Sequence, residues 1–303
     1  MIIIDNLTQI YPSGKGIFNV SFEVKKGEVM GYLGPNGAGK TTTIRNILGF
    51  SNANEGLVTI NGMNCRLESE ELQKIIGYLP GEIAFFDNMT GVEFLDFLCD
   101  MRQLKDLSRR KELIECFELE ITGRIKKMSK GMKQKLGIVA AFMHRPEILI
   151  LDEPTSGLDP LMQNKFMTLL TEEKKKGTTV LMSSHIFEEV YKICDRVGII
   201  KDGKIVAIED VTALKSMKKE SFMLHTSDIS DYNLLISEKL DVQKVDGSTL
   251  IVTMTDDYAH LFAALSKCHI TSFEVKEQSL EDLFMKYYGK AVTDESSVIQ
   301  SQY

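Results

Sequence analysis

None of the five cysteines, Cys65, Cys99, Cys116, Cys194 and Cys268, sits in a CxxC, and their number is odd and their spacing scattered. That pattern argues against a disulfide framework and a thiolate zinc site, and it fits a reducing compartment. The opening Met1-Ile2-Ile3-Ile4-Asp5 lacks the basic start and long apolar core of a secretory signal and reads as a first strand. Long apolar runs are also missing: Leu136–Met143 and Ile148–Leu151 fall well short of the ~20 residues that cross a bilayer. If this chain works at a membrane, another chain does the spanning. Positive charge is scarce too, and a net charge of −7 with a pI near 5.4 argues against a nucleic-acid partner. Against that acidic background stands one basic run, Arg124, Lys126, Lys127, Lys130, Lys133 and Lys135, which needs its own explanation.

With 303 residues, 43% of them hydrophobic, the chain can bury a substantial core, and two domains are expected. Strand signals come first, at Ile2–Ile4, Phe18–Val24 and Glu28–Leu33, and the last runs through a Gly-rich turn into a helix over Thr41–Leu48. Asn61-Gly62 between two apolar runs predicts a hairpin, because Asn-Gly supplies the positive φ angles of a tight turn. From about residue 88 to 145 the pattern is helical, with Phe94, Phe97, Leu98 and Met101 sharing a face. A buried strand Ile148–Leu151, a helix ended by Gly177, a strand over Thr178–Ser183, a helix around Phe187–Cys194 and a hairpin at Asp202-Gly203 follow. Such alternation predicts an α/β unit over 1–215 with a parallel sheet and a helical insertion. After the basic junction Lys215–Lys219 the signals suggest a small α+β sandwich, ferredoxin-like, over 216–290. Its last element places Leu280, Leu283, Phe284 and Tyr287 at helical spacing behind a capping box, Ser279 to Asp282. The polar tail, 291–303, reads as disordered.

The stretch Gly34-Pro35-Asn36-Gly37-Ala38-Gly39-Lys40-Thr41-Thr42 matches GxxxxGK[ST] between a strand and a helix, which is where such a loop must lie. Gly34, Gly37 and Gly39 let backbone N–H groups converge on phosphates, Lys40 brings an ammonium to the β- and γ-phosphates, and Thr41 offers a hydroxyl to Mg²⁺. The apolar run ending Leu151-Asp152-Glu153-Pro154 then gives its two carboxylates a purpose. Asp152 would reach Mg²⁺, directly or through water, and Glu153 would polarise an attacking water. A nucleotide's phosphates and Mg²⁺ are the ligands these motifs call for.

With both motifs in place, Met128–Pro160 resembles the ATP-binding subunits of ABC transporters, and the resemblance covers about residues 1–215. It implies a P-loop nucleotide-binding domain of ABC type: a parallel core sheet, an antiparallel β subdomain and a helical insertion. Ser129-Lys130-Gly131-Met132-Lys133 is similar to the family's signature motif in a variant form. Ser129 and Gly131 would then cap the γ-phosphate of an ATP held by a second copy of the chain. Asp159, in Ser156-Gly157-Leu158-Asp159, would lie in the loop facing that copy, His185 would sense the γ-phosphate, and Tyr11 would stack on adenine. Asn36 and Thr42 complete the implied nucleotide contacts. The lysines near Ser129 would lie close to the partner's triphosphate, which accounts for the basic run without nucleic acid. The resemblance also implies a membrane-spanning permease as partner and the cytoplasmic face of the membrane as the working place. The C-terminal part, with its Ser279–Phe284 segment, resembles exporters of the daunorubicin and bacitracin resistance type or the sodium-extrusion type, and a dimerising or regulatory role is expected of it. An ATP-gated sensing or immunity subunit with little transport is the alternative.

The loop Gly77–Thr90 departs from the family pattern. The Gln expected after Pro80 is Gly81, which has no side chain to offer a metal, and Glu82 reads as a solvated charge. Phe85 and Phe86 admit two readings, a socket with Ile83 for a helix of the permease, or rings turned inward on the helical insertion.

Overall fold

A computed structural model of the chain describes residues 1–86, 88–216, 221–228, 230–253 and 258–276. The segment Ser279–Tyr287 and the tail 291–303 lie outside the described residues. The chain divides into two compact units, Met1–Val211 and Thr212–Tyr303.

In the first unit, β1 (Ile2–Ile10), β2 (Gly16–Val24), β4 (Glu55–Ile60) and β5 (Met63–Asn64) form an antiparallel sheet in the order β2-β1-β4-β5. Asn61 and Gly62 adopt φ of 51° and 84° and close the β4–β5 hairpin as the dipeptide requires. The second sheet runs β10-β9-β3-β8-β7-β6, from β10 (Lys204–Asp210), β9 (Arg196–Lys201), β3 (Val29–Leu33), β8 (Thr179–Ser184), β7 (Ile148–Asp152) and β6 (Ile76–Leu79). All its pairs are parallel except β9–β10. Every residue of β3, β7 and β8 is buried, as expected of central parallel strands covered on both faces. Their carboxyl ends, at Leu33, Asp152 and Ser184, therefore open side by side at one edge of the sheet, the edge where ligands collect in this topology.

Helices α1 (Lys40–Ile47), α2 (Ser69–Ile75), α6 (Pro160–Lys175) and α7 (Phe187–Ile193) connect these strands, while α3 (Gly91–Met101), α4 (Ser108–Cys116) and α5 (Lys130–Phe142) build the insertion. A reciprocal capping box starts α3: the Glu93 N–H donates to Thr90 Oγ1 at 3.2 Å and the Thr90 N–H to Glu93 Oε2 at 2.8 Å. The stripe Phe94, Phe97, Leu98 and Met101 is not the core face of α3. Gly91, Leu95 and Cys99 are buried, whereas Phe97 and Met101 are 38% and 66% exposed. The two stripes share the helical period, so spacing alone does not say which faces the protein. Buried Arg109 of α4 ties the insertion to the sheet layer, its guanidinium 2.6 Å from Glu173 of α6 and 2.6 Å from Glu112.

The helix α8 (Val211–Ser216) lies at the division between the units. In the second unit, β11 (Ser221–Thr226), α9 (Asp231–Ser237), β12 (Asp241–Lys244), β13 (Thr249–Thr253), α10 (Tyr258–Leu265) and β14 (Ile270–Lys276) follow a βαββαβ order. The sheet is antiparallel throughout, ordered β12-β13-β11-β14, which is the ferredoxin-like arrangement. Phe222, Leu224, Leu235, Leu250, Val252 and Leu261 form its core.

Candidate functional site

The strand β3 delivers the chain into the loop Gly34–Gly39, and α1 begins at Lys40. Gly39 caps that helix with φ 110°, a backbone state that a side chain would strain, and the start of α1 points its free N–H groups into the loop. Lys40 is buried. Its ammonium donates to the carbonyls of Gly34 at 2.7 Å and Pro35 at 3.2 Å and lies 3.5 Å from Glu153 Oε1. A cation is thus held over the concavity by weak neutral acceptors and one carboxylate, ready to be recruited by phosphate.

The apolar run of β7 ends in Asp152, which is 2% exposed. Its Oδ2 accepts a hydrogen bond from Thr41 Oγ1 at 2.9 Å, and its Oδ1 accepts one from Ser183 Oγ at the end of β8. The same Ser183 hydroxyl accepts the Glu153 N–H at 3.1 Å. Glu153 adopts φ 48°, in the left-handed region that non-glycine residues seldom occupy, and this turns its side chain off the sheet and into the cavity. There Oε1 faces Lys40 and Oε2 lies 3.4 Å from His185 Nδ1. Lys40, Thr41, Asp152, Glu153 and His185 are therefore brought together from three neighbouring strand ends.

The Thr41 hydroxyl and the Asp152 carboxylate are hard oxygen donors within 2.9 Å of each other. They fit Mg²⁺, which takes few protein ligands and fills its shell with phosphate oxygens and water. No cluster of three or more His, Cys, Asp or Glu suited to a metal occurs among the described residues. Burial, reinforced by the charge of Asp152, pushes the nearby Tyr78 phenol up to about 12, which keeps it neutral.

A cavity of about 340 Å³ opens over this group. Its lining includes Tyr11, Asn36, Gly37, Gly39, Lys40, Thr41, Thr42 and Glu153, and the Tyr11 hydroxyl lies 3.5 Å from Thr42 Oγ1. Gly34 lies just beneath, its carbonyl holding Lys40. The lining also includes Ser13, Lys15 and Gly16, which sequence reasoning missed. The signal was a lysine in the Gly-containing turn directly after Tyr11. Ser183 was missed as well, although it stands two residues before His185.

Asp152 and His185 adjoin this lining through Thr41 and Glu153, whereas Ser129, Gly131 and Asp159, also expected to contact nucleotide, lie on other elements. Ser129 caps α5, accepting the Met132 N–H at 3.2 Å, and Asp159 caps α6, accepting the Met162 N–H at 3.0 Å. Gly131 packs so closely on the loop before α6 that a Cβ there would come within 2.8 Å of the Gly157 carbonyl. In the loop after β6, a Cβ at Gly81 would lie 3.4 Å from the Asp152 carboxylate, so the position facing that carboxylate carries no side chain, and Glu82 is exposed. Ile83 turns inward, against Gly137 of α5. Phe85 and Phe86 meet Phe94 and Phe97 edge to face, with centroids 5.0 Å and 5.8 Å apart. The rings thus turn onto the insertion, while Phe86 stays 56% exposed and, with Phe97 and Met101, leaves an apolar surface there.

A family profile described as "ABC transporter" matches residues 17–156, and one described as "AAA domain, putative AbiEii toxin, Type IV TA system" matches residues 124–190. The chain is 32% identical to the linearmycin resistance ATP-binding protein LnrL of Bacillus subtilis (strain 168), over 97% of this chain and 100% of that protein. It is 33% identical to the bacitracin transport ATP-binding protein BcrA of Bacillus licheniformis, over 94% of this chain and 96% of that one. Among solved structures, the dimeric post-hydrolysis state of the ATP-binding cassette MJ0796 bound to ADP and Pi superposes with a TM-score of 0.64 and 26% identity. That match covers 70% of this chain and 99% of the other.

Proposed function

Since the chain belongs to the ABC transporter family and is an ATPase of it, we propose that it powers an exporter through a separate membrane-spanning permease, two copies closing head to tail on two ATP molecules. The observation that carries this reading is the split of the motifs. Lys40, Thr41 and Glu153 line one cavity, with Asp152 bonded to Thr41 and His185 beside Glu153, while Ser129 and Gly131 stand at the start of α5 on the insertion and in this reading serve another chain's nucleotide.

In this reading Tyr11 stacks on adenine, and Asn36, Thr42 and the glycines Gly34, Gly37 and Gly39 shape the phosphate cradle. Lys40 exchanges its carbonyl partners for the β- and γ-phosphates. Thr41 and Asp152 hold Mg²⁺, which when bound supplies positive charge to the phosphate oxygens. Glu153 orients a water on the γ-phosphorus and takes its proton as the bond from that phosphorus to the β–γ bridging oxygen breaks. His185, on the far side of the Glu153 carboxylate, holds the departing phosphate. Ser129 and Gly131 cap the partner's γ-phosphate, and Asp159 faces the partner across the interface. Closure on ATP and reopening after hydrolysis is the stroke passed to the permease.

The relatives' names support a drug- or antibiotic-resistance exporter. No helix among the described residues is long and apolar enough to cross a membrane; in this reading the permease holds the chain at the cytoplasmic face. Copurification with a permease, followed by ATPase assays in liposomes, tests the proposal. Exporter function requires that transported substrate stimulate turnover severalfold, whereas an unstimulated complex would favour a sensing or immunity subunit.

A further inference from the structure

Glu189 of α7 lies outside the nucleotide cavity, yet it is only 8% exposed and no ion pair neutralises it among the described residues. A carboxyl group in such a place costs stability unless its oxygens are well used. Both are used. Oε1 accepts from Thr155 Oγ1 at 2.5 Å, and Oε2 accepts from Ser184 Oγ at 2.9 Å. Thr155 and Ser184 are themselves buried, at 4% and 2% exposure.

The two hydroxyls belong to different segments, Ser184 at the end of β8 and Thr155 in the turn after β7. Ser184 stands between Ser183, which holds Asp152, and His185, which faces Glu153, and its hydroxyl also accepts the Ile186 N–H at 2.9 Å. Thr155 opens the turn leading to Asp159, its carbonyl accepting the Leu158 N–H at 3.0 Å. From that turn the chain of contacts continues to α5. Buried Gln134 donates to the Pro154 carbonyl at 2.7 Å, and Gly131 rests on the Gly157 carbonyl. A set of contacts, buried at Glu189, Thr155, Ser184 and Gln134, thus runs from the residues beside this chain's own nucleotide cavity to Gly131 at the start of α5, the helix that Ser129 caps.

We propose that Glu189 is a positioning residue that locks the loop of His185 to the turn Thr155–Asp159, so that nucleotide bound in one chain sets the place of the Ser129 motif offered to the other. The inference rests on the two-copy reading above. Without the Glu189 bridge, each chain still binds ATP, but the surface it presents to its partner is no longer fixed by that binding.

The test uses the full chain carrying Glu153→Gln, with monomer nucleotide affinity measured by a fluorescent ATP analogue and ATP-driven dimerisation by light scattering. In Glu189→Ala and in Thr155→Val, nucleotide affinity stays within about twofold of the parent while dimerisation weakens tenfold or more. The double variant is no worse than the worse single one, and Thr155→Ser, which keeps the hydroxyl, behaves as the parent. The two Thr155 variants serve even where Glu189→Ala does not fold. Dimerisation at the parent's affinity, an equal loss of nucleotide binding, additive effects, or a Thr155→Ser as weak as Thr155→Val overturns the inference. A Glu153→Gln parent that never dimerises with ATP defeats instead the two-copy reading on which it rests.

Discussion

Asp152 and Glu153 are adjacent in sequence and yet meet different surroundings, because the strand ends between them. Asp152 stays in the sheet layer under two hydroxyls, while the left-handed φ of Glu153 swings its carboxylate out to Lys40 and His185. One site thus gains a fixed charge suited to a metal and a freer one suited to water. His144 is a half-buried titratable group away from the cavity. Burial and then the Arg102 charge push its imidazole down to about 4, one ring nitrogen pairs with the Ile76 carbonyl at 3.0 Å, and buried Nδ1 has no partner among the described residues. Its folded value is depressed below the ordinary 6.5, so the unfolded chain takes up the proton first. Its stabilising contribution is present above about 6.5 and fades as the pH falls toward 4. Chemical denaturation should therefore show about 1–2 kcal/mol lost between pH 7 and pH 5, and His144→Gln should lose less over the same range. The motif residues of the cavity were legible because GxxxxGK[ST] and a strand-end Asp-Glu have few other uses. Ser183 and Glu189 were not, because a serine and a glutamate take their meaning only from the strand and helix that fold against them.

Among elements, the loop after β6 and helix α3 act as one surface. Edge-to-face pairs Phe85–Phe94 and Phe86–Phe97 hold the loop on the helix, while Phe86, Phe97 and Met101 leave an apolar face outward. Aromatic pairs of this kind contribute about 0.5–1.5 kcal/mol each beyond burial, so Phe85→Ser with Phe86→Ser should lower stability by a few kcal/mol without unfolding the α/β core. In liposomes with the permease, the double variant should bind ATP normally and lose substrate-stimulated turnover. Normal stimulation would rule out the docking role, and an unfolded protein would assign the rings to the core. The helical period of α3 was readable in the sequence, but its buried side was not. Gly91, Leu95 and Cys99 repeat as regularly as the bulkier stripe, and small residues at a close helix contact give weak hydrophobic signal. Turn chemistry was more legible: Asn61-Gly62 and Asp202-Gly203 both take the positive φ angles that their residue types favour.

At the scale of the molecule, the order of motifs along the chain places them on different elements, which the two-copy proposal turns into a division of labour between chains. The phosphate loop follows β3, the carboxylates follow β7 and the histidine follows β8, so the parallel sheet gathers them. The insertion carries α5 and its cap Ser129 outside that gathering. The net charge of −7 with lysines concentrated around Ser129 agrees with a basic face turned to a partner's triphosphate. The alternation of strands and helices made the first unit readable, and the βαββαβ order did the same for the second. The pairing order of the two sheets in the first unit was not readable from the alternation itself, because it depends on contacts far apart in sequence. The most direct test of the account is the oligomeric state and turnover of Glu153→Gln with and without ATP and Mg²⁺. The account predicts hydrolysis slower by at least about a hundredfold, with a monomer that becomes a stable dimer only when ATP is present. Unchanged turnover, or a monomer under every condition, would contradict it.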